Sequence, residues 1–413
     1  MRLRPTPRGI ALGIAGIVAL QLGVVLGAVD LVRIGTLTLL LVVGAAVAVG
    51  VLDPGRGKHR LSVQRHAVPN PVHAGEEAQI EVVITATDPA ARVRLAGLKF
   101  AEQAATELSG GRPLRARVTR APRRVTVTYS VQAARRGRWP LGPLVVTRGD
   151  PFGVVRTSAT LGEQAEVSVW PAVVPLPTPS DVLVGEPDRV ALGARSPSTD
   201  DASLRDYREG DDLRRVHWSS SARKGALMVR SDERAGMRPV SVLLDLPARA
   251  TSLEWSISLA ASMSLAMLDG GHPVRLVSGG TPAASPLAFV HDRSGPGARS
   301  ALLDRTIDLE APRSAVQGEA ALVSAAHLLH TTEAGGEIVL AVLGPLGASA
   351  RAALAHVADA ALAWAVVRAD TPAQEAEAEH TIKALRRAGW RACRVTPGEP
   401  VVDCWLRLLG SAQ

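Results

Sequence analysis

The stretch "VSVLLDL", Val240–Leu246, sets the reading of the chain. It is an apolar run rich in β-forming residues, without the alternation of a half-exposed strand, and an acid stands near its end. A strand that is apolar on both faces belongs in the middle of a parallel sheet. The residues that follow carry the same message. A helical pattern covers 252–269, and "PVRLVS" (273–278) reads as a second strand. Helices are expected over 297–307 and 318–331, the latter with Leu322, Ala325, Ala326 and Leu329 on one side. "EIVLAVLG" (337–344) and "ALAWAVVR" (361–368) are further strands, each followed by a helical segment. "WRACRV" (390–395) and 401–409 supply a last strand and a last helix. Alternation of this kind predicts a doubly wound α/β domain over 239–413. Ligands of such sheets sit at the carboxyl ends of the strands, which makes Asp245 the residue to inspect.

Upstream the periodicity changes from runs to alternation. In "RVTVTYSV" Val125, Val127, Tyr129 and Val131 share one face, and Ile80, Val82 and Ile84 do so in "QIEVVIT". Period two marks half-buried strands. "LVVTRGDPFGVV" reads as two strands joined by a turn at Asp-Pro-Phe-Gly. Residues 61–170 are therefore expected to form a β-sandwich without convincing helix. Residues 171–200, rich in Pro, Ser and Asp, read as an extended linker, and 201–238 as a separate polar segment.

The amino-terminal part, 1–56, is of another kind. Apolar runs over about 10–29 and 34–52 are each long enough to cross a bilayer as a helix, with a short break holding Asp30 and Arg33. A cleaved signal peptide also has a basic start, but the first run is longer than a signal core and a second follows directly. The expectation is a transmembrane helical hairpin. Arg2, Arg4 and Arg8 precede it and Arg56, Lys58, Arg60 and Arg65 follow it. Basic flanks mark the cytoplasmic side, so a multi-pass protein of the plasma membrane with both termini in the cytoplasm is expected. The whole is multidomain: hairpin, sandwich, then α/β.

The formal charge of +8 does not point to nucleic acid. Residues 1–60 carry seven bases against two acids, and residues 61–175 fifteen against nine, so the rest is slightly acidic. The excess lies where it would meet anionic headgroups of the lipid bilayer. Aromatic residues are not interleaved with the bases as RNA-binding surfaces require. Cys393 and Cys404 lack the spacing of a zinc site and read as small buried hydrophobes. The phosphate-binding G-x-x-x-x-G-K-[ST], a G-x-G-x-x-G after a strand, and HExxH are all missing. No metal and no cofactor is expected.

Asp245 invites comparison with D-x-S-x-S loops, whose hydroxyls complete a hard-cation shell. Here the loop reads Asp245, Leu246, Pro247, Ala248, Arg249. Both hydroxyls are gone, and Arg249 is expected to bring its charge to the cation position, so the site reads as degenerate. The segment "LRDYREGDDLRRVHWSSSARKG" (204–225) crowds ionisable groups. One reading is a hydrolase, metal-dependent or using a serine among Ser219–Ser221, built on Asp211, Asp212 and His217. No G-x-S-x-G elbow presents those serines, however. The other reading has Asp211 and Asp212 capping a helix, while Arg214, Arg215, Arg223, Lys224 and Arg230 bridge the acids. Such a clamp would dock on the α/β domain or bind a partner protein, and no enzyme activity is then expected. A third has Arg223, Lys224 and Arg230 binding anionic lipid or a phosphorylated ligand.

Within 204–230 the residues Arg205, Tyr207, Gly210, Asp211, Asp212, Arg214, Trp218, Ala222, Arg223, Val229 and Arg230 match a known pattern. The segment resembles the signature of the domain of unknown function 58 family, as "RRGRWPLGPLVVTRGDPFGVV" (135–155) resembles what precedes it there. His217 stands where many members carry Asp. The resemblance implies a membrane-anchored protein with a von Willebrand factor type A-like carboxyl-terminal part. It also implies a partnership with AAA+ ATPases of the MoxR type and with other membrane proteins. Together these readings give a scaffold or adaptor whose partner-binding or docking residues are those of the signature, His217 included.

Overall fold

The structure, a computed structural model, describes residues 3–53, 61–111, 114–177, 204–206, 221, 225, 228–230, 238–279, 289–291, 297–330 and 337–410. These divide into two compact units, 1–172 and 173–413.

The first unit begins with a short strand not foreseen from sequence, β1 (Leu3–Pro5), and two long helices, α1 (Pro7–Val25) and α2 (Val29–Val51). Both helices are long and apolar enough to cross a membrane, with mean hydropathies of 2.3 and 2.4. They pack through small residues: a Cβ on Gly35 would lie 2.7 Å from the Leu20 nitrogen, and one on Gly23 2.7 Å from that of Val32. Small residues let membrane helices approach closely. Large side chains such as Ile14, Leu37 and Leu40 point outward. The break between the helices differs from the expectation. Asp30 and Arg33 are not in it but belong to α2, while the chain reverses at Leu26–Ala28 with Gly27 at φ +67°. Glycine alone adopts that conformation without strain, and Asp30 in the first turn of α2 suits the positive end of the helix.

Two sheets follow. One runs β2 (Leu61–Val68), β4 (Glu77–Ala86), β7 (Arg124–Gln132), β6 (Arg117–Ala121), all antiparallel. The other is built on β8 (Gly137–Gly149), β9 (Val155–Leu161) and β10 (Ala165–Trp170), extended by β1, β3 (Val72–His73) and β5 (Lys99–Ala104). Their inner faces share one core, in which Ile80, Val82 and Ile84 meet Leu141, Leu144 and Val167. The alternation of Val125, Val127, Tyr129 and Val131 is realised, since all four are buried. Two short helices interrupt the strands against expectation: α3 (Pro89–Leu95), started by Asp88 accepting from the Ala91 amide at 2.7 Å, and α4 (Thr106–Ser109). Each is too short for periodicity to show.

The second unit holds a five-stranded parallel sheet. In spatial order it runs β14 (Val274–Ser278), β13 (Val240–Leu244), β15 (Ile338–Leu343), β16 (Leu362–Arg368), β17 (Arg391–Val395). Val240–Leu244 pairs on both sides and every residue of it is buried, as a strand apolar on both faces demands. Helices cover both faces. α5 (Ala250–Asp269), α6 (Gly297–Ile307) and α10 (Val401–Gly410) lie on one, and α7 (Ala315–His330), α8 (Ala348–Ala360) and α9 (Glu375–Arg387) on the other. α7 starts three residues before the expected 318, where Ser314 accepts from the Gln317 amide at 3.2 Å. Leu322, Ala325, Ala326 and Leu329 turn into the core. Of the expected linker, residues 173–177 lie against the same unit. The Val174 amide donates to Ser262 at 3.0 Å, and the Trp405 indole donates to the Pro177 carbonyl at 2.9 Å.

Candidate functional site

Strand order places the reversal of winding between β13 and β15, with β14 on one flank and β16 and β17 on the other. The crevice at the carboxyl ends of those two strands is where open α/β sheets bind ligands, and Asp245 follows β13 there. Its carboxylate is already engaged. Oδ2 accepts from the Gly344 amide at 2.9 Å and from Arg368 Nη2 at 2.8 Å, while Arg368 Nη1 donates to the Asp245 carbonyl at 3.0 Å. The Arg368 side chain is 3% exposed, and its Nε lies 3.5 Å from Asp370. A guanidinium fork thus closes the strand edge by gripping one residue through both side chain and main chain.

The charge that meets Asp245 therefore comes from the end of β16. Arg249, expected to do this from sequence, reaches elsewhere: its Nη1 donates to the Asp370 carbonyl at 3.0 Å. Gly344 makes the arrangement possible, because a Cβ there would stand 3.0 Å from both Asp245 Oδ2 and Arg368 Nη2. Beside the carboxylate lies a cavity of about 300 Å³, bounded by Leu244, Leu246, Gly279, Leu309, Pro312 and Leu322, with Asp308, Glu310 and Arg313 at its polar side. Among the described residues no group of three His, Cys, Asp or Glu side chains is placed to hold a metal ion.

Two further buried ion pairs were not foreseen. At the amino-terminal end of the parallel sheet Arg275 donates to both carboxylate oxygens of Glu337, at 3.0 and 3.1 Å, and to Ser241. Arg275 also lies over the Phe289 ring at 4.5 Å. Between the two sheets of the first unit, Arg65 Nε donates to Glu102 at 2.8 Å and Nη1 to the Glu163 carbonyl at 2.7 Å. Burial raises the Glu102 pKa, against the hydrogen bond and charge of Arg65 that lower it. Burial likewise raises Tyr129, with a smaller contribution from Glu102. Cys393 and Cys404 are free and buried, as expected, and burial pushes their thiols up to about 11 and about 12.

Of the signature residues, Arg205 lies in β11 (Leu204–Asp206) and Arg230 in β12 (Met228–Arg230). These strands pair antiparallel, Leu204 opposite Arg230 and Arg205 opposite Val229, so the two ends of the segment are tied together. Tyr207, Gly210, Asp211, Asp212, Arg214, His217, Trp218 and Arg223 lie outside the described residues, and with them the expected helix cap and clamp. Ser221 is described: it is buried, and its carbonyl accepts from the Gly225 amide at 2.9 Å.

No curated protein matches the chain. Among solved structures, a mutant of the PilB minor pilin from Streptococcus sanguinis aligns over 87% of this chain and 89% of its own. Its identity is 10% and its TM-score 0.29, too low for any inference about fold or function. Residues 203–344 match the family model of the protein of unknown function DUF58, a span that runs from the β11–β12 ribbon through Asp245 and the cavity to Gly344.

Proposed function

We propose that the chain is a membrane-anchored, cytoplasm-facing scaffold or adaptor. In this reading α1 and α2 cross the plasma membrane with both termini in the cytoplasm. The second unit is a von Willebrand factor type A-like domain that has given up cation chemistry. Its work is the assembly or maturation of protein complexes together with a MoxR-type AAA+ ATPase.

The observation that supports this best is the engagement of Asp245. At the strand edge where this class of sheet binds its ligand, the acid is held by Arg368 and the Gly344 amide, and so serves the scaffold. The signature of 204–230 then supplies the contact with the partner. Crosslinking and co-purification from native membranes test the proposal, with an AAA+ ATPase expected in the captured material. Its reproducible absence refutes the partnership. Protease protection on inverted vesicles tests the topology: the part after residue 53 should be digested.

A further inference from the structure

The edge of the first unit next to the helices brings arginines together. β1 precedes α1 by one residue and pairs antiparallel with β9, with Arg4 directly opposite Arg156. Residues opposite each other in such a pair project to the same face, and like charges there repel. Both arginines are exposed, as is Arg8 in the first turn of α1, and none of the three has an acidic partner among the described residues. The nearby acids are occupied. Asp150 accepts from the Phe152 and Val155 amides at 2.8 and 2.6 Å, and buried Asp53 accepts from Thr157 at 3.2 Å.

Phe152 stands at the tip of the turn between β8 and β9, 60% exposed. The turn is fastened to the start of α1: the Thr6 amide donates to the Val154 carbonyl at 2.9 Å, and the Thr6 hydroxyl contacts the Gly153 and Val154 carbonyls. Gly9 packs so closely on Val154 that a side chain has no room. Val154 and Val155 are buried against Ala45 and Val49 of α2. The tip is thus held at the level where the apolar helices begin.

We infer that this edge is a lipid-contacting surface: Phe152 enters the boundary between headgroups and acyl chains, and Arg4, Arg156 and Arg8 bind the phosphates of anionic phospholipids. The inference rests on the reading of α1 and α2 as membrane spans. Exposed Phe side chains on interfacial segments gain by burying their rings at that boundary. Anionic headgroups would relieve the Arg4–Arg156 repulsion, which no carboxylate of the described residues does.

The test uses the full chain reconstituted in phosphatidylcholine vesicles with and without phosphatidylglycerol. An environment-sensitive dye is placed at F152C or, as a control for the spans, at L40C, with unsubstituted protein correcting for Cys393 and Cys404. Nitroxide lipids labelled near the headgroup should quench the dye at 152 more than lipids labelled at the chain end. At Leu40 quenching of either kind should occur. Quenching at 40 without quenching at 152 overturns the inference and leaves the spans standing; no quenching at either overturns both. R4Q/R156Q should lower the enrichment of phosphatidylglycerol among co-purified lipids by about fivefold per arginine removed. Unchanged enrichment refutes the role of the arginines.

Discussion

Replacing Arg368 by Met isolates the interaction that closes the strand edge. At 2.8 Å the Arg368–Asp245 attraction is on the order of 6 kcal/mol for an effective dielectric of about 20. Desolvation offsets much of this while the pair is intact, but truncating one member leaves the other charge buried. Breaking such a pair costs about 3–5 kcal/mol. Asp245 keeps its bond from the Gly344 amide and is 16% exposed, which places the cost toward the lower end. Loss of the donor to the Asp245 carbonyl adds about 1 kcal/mol. Arg368→Met should therefore weaken the sheet by about 3–4 kcal/mol. Asp245→Asn should cost less, about 2 kcal/mol, because Asn still accepts from Gly344 and Arg368 retains Asp370. The double variant should fall short of the sum by at least about 1.5 kcal/mol. Hydrogen exchange of the intact protein, followed by mass spectrometry on peptides covering 240–246 and 338–344, reads this directly. A loss of about 3 kcal/mol speeds the slowest amides about 150-fold. Additivity within about 0.5 kcal/mol, or a loss below about 1 kcal/mol for Arg368→Met, would refute the reasoning.

Gly35→Val should separate α1 from α2, because its Cβ would stand 2.7 Å from the Leu20 nitrogen. Gly44→Val, which meets nothing within 4 Å, should not. In detergent, the temperature at which the full-length protein leaves solution should fall for the first variant only. Glu102 offers a pH test. Its folded pKa is raised above 4.5, so its contribution to stability is complete below that value and is lost as pH rises through the folded pKa. The stability difference between the natural protein and Glu102→Gln, measured by pulse proteolysis in urea, should shift in favour of the natural protein on acidification toward pH 4.5; a flat or opposite trend counts against it. Cys393 and Cys404, with thiols near 11 and 12, should resist disulfide reagents at neutral pH until the unit is unfolded. Reaction of either at the rate of a free thiol contradicts their burial.

Legibility in the sequence follows the range of the interaction. Val240–Leu244 and the strands after it are readable because a buried parallel strand writes its environment into consecutive residues. Val125–Val131 are readable because a half-buried one writes it at every second position. The turn at Gly27 is hidden behind the charges of Asp30 and Arg33, which interrupt the apolar run and so suggest a helix end. Asp30 suits the first turn of α2 and Arg33 pairs with it from the next turn at 3.4 Å, and the left-handed glycine is the actual break. Asp245 is legible as a strand-end acid, but its partner is not. Arg249 is the nearest following base in sequence, whereas Arg368 is 123 residues away and reaches Asp245 only through strand order. The pairs Arg65–Glu102 and Arg275–Glu337 escape the sequence for the same reason, with separations of 37 and 62 residues.

Three adjacent strands make the closed edge, each with one residue. β13 leads to the acid at 245, β15 to the gap at Gly344, and β16 ends in the base at 368. The gap is as necessary as the charges, since a side chain at 344 would push Arg368 and Asp245 apart. The acid and the gap fall within the span that matches the DUF58 family model, and the base falls beyond it. Whether a strand-end acid in this setting binds a cation or a guanidinium is thus decided here by a residue outside the matched segment, on a strand not adjacent to the acid. Three buried ion pairs follow this pattern of internal pairing, Arg65 with Glu102, Arg275 with Glu337, Arg368 with Asp245. Arg4 and Arg156 are exposed and have no acidic partner among the described residues. They are opposed to one another beside the start of α1, with the nearby carboxylates engaged, Asp53 by Thr157 and Asp150 by the Phe152 and Val155 amides. Two exposed cations face to face are the kind of site an anion from outside the chain would fill, and on the reading of α1 and α2 as membrane spans the proposed source is the headgroup layer.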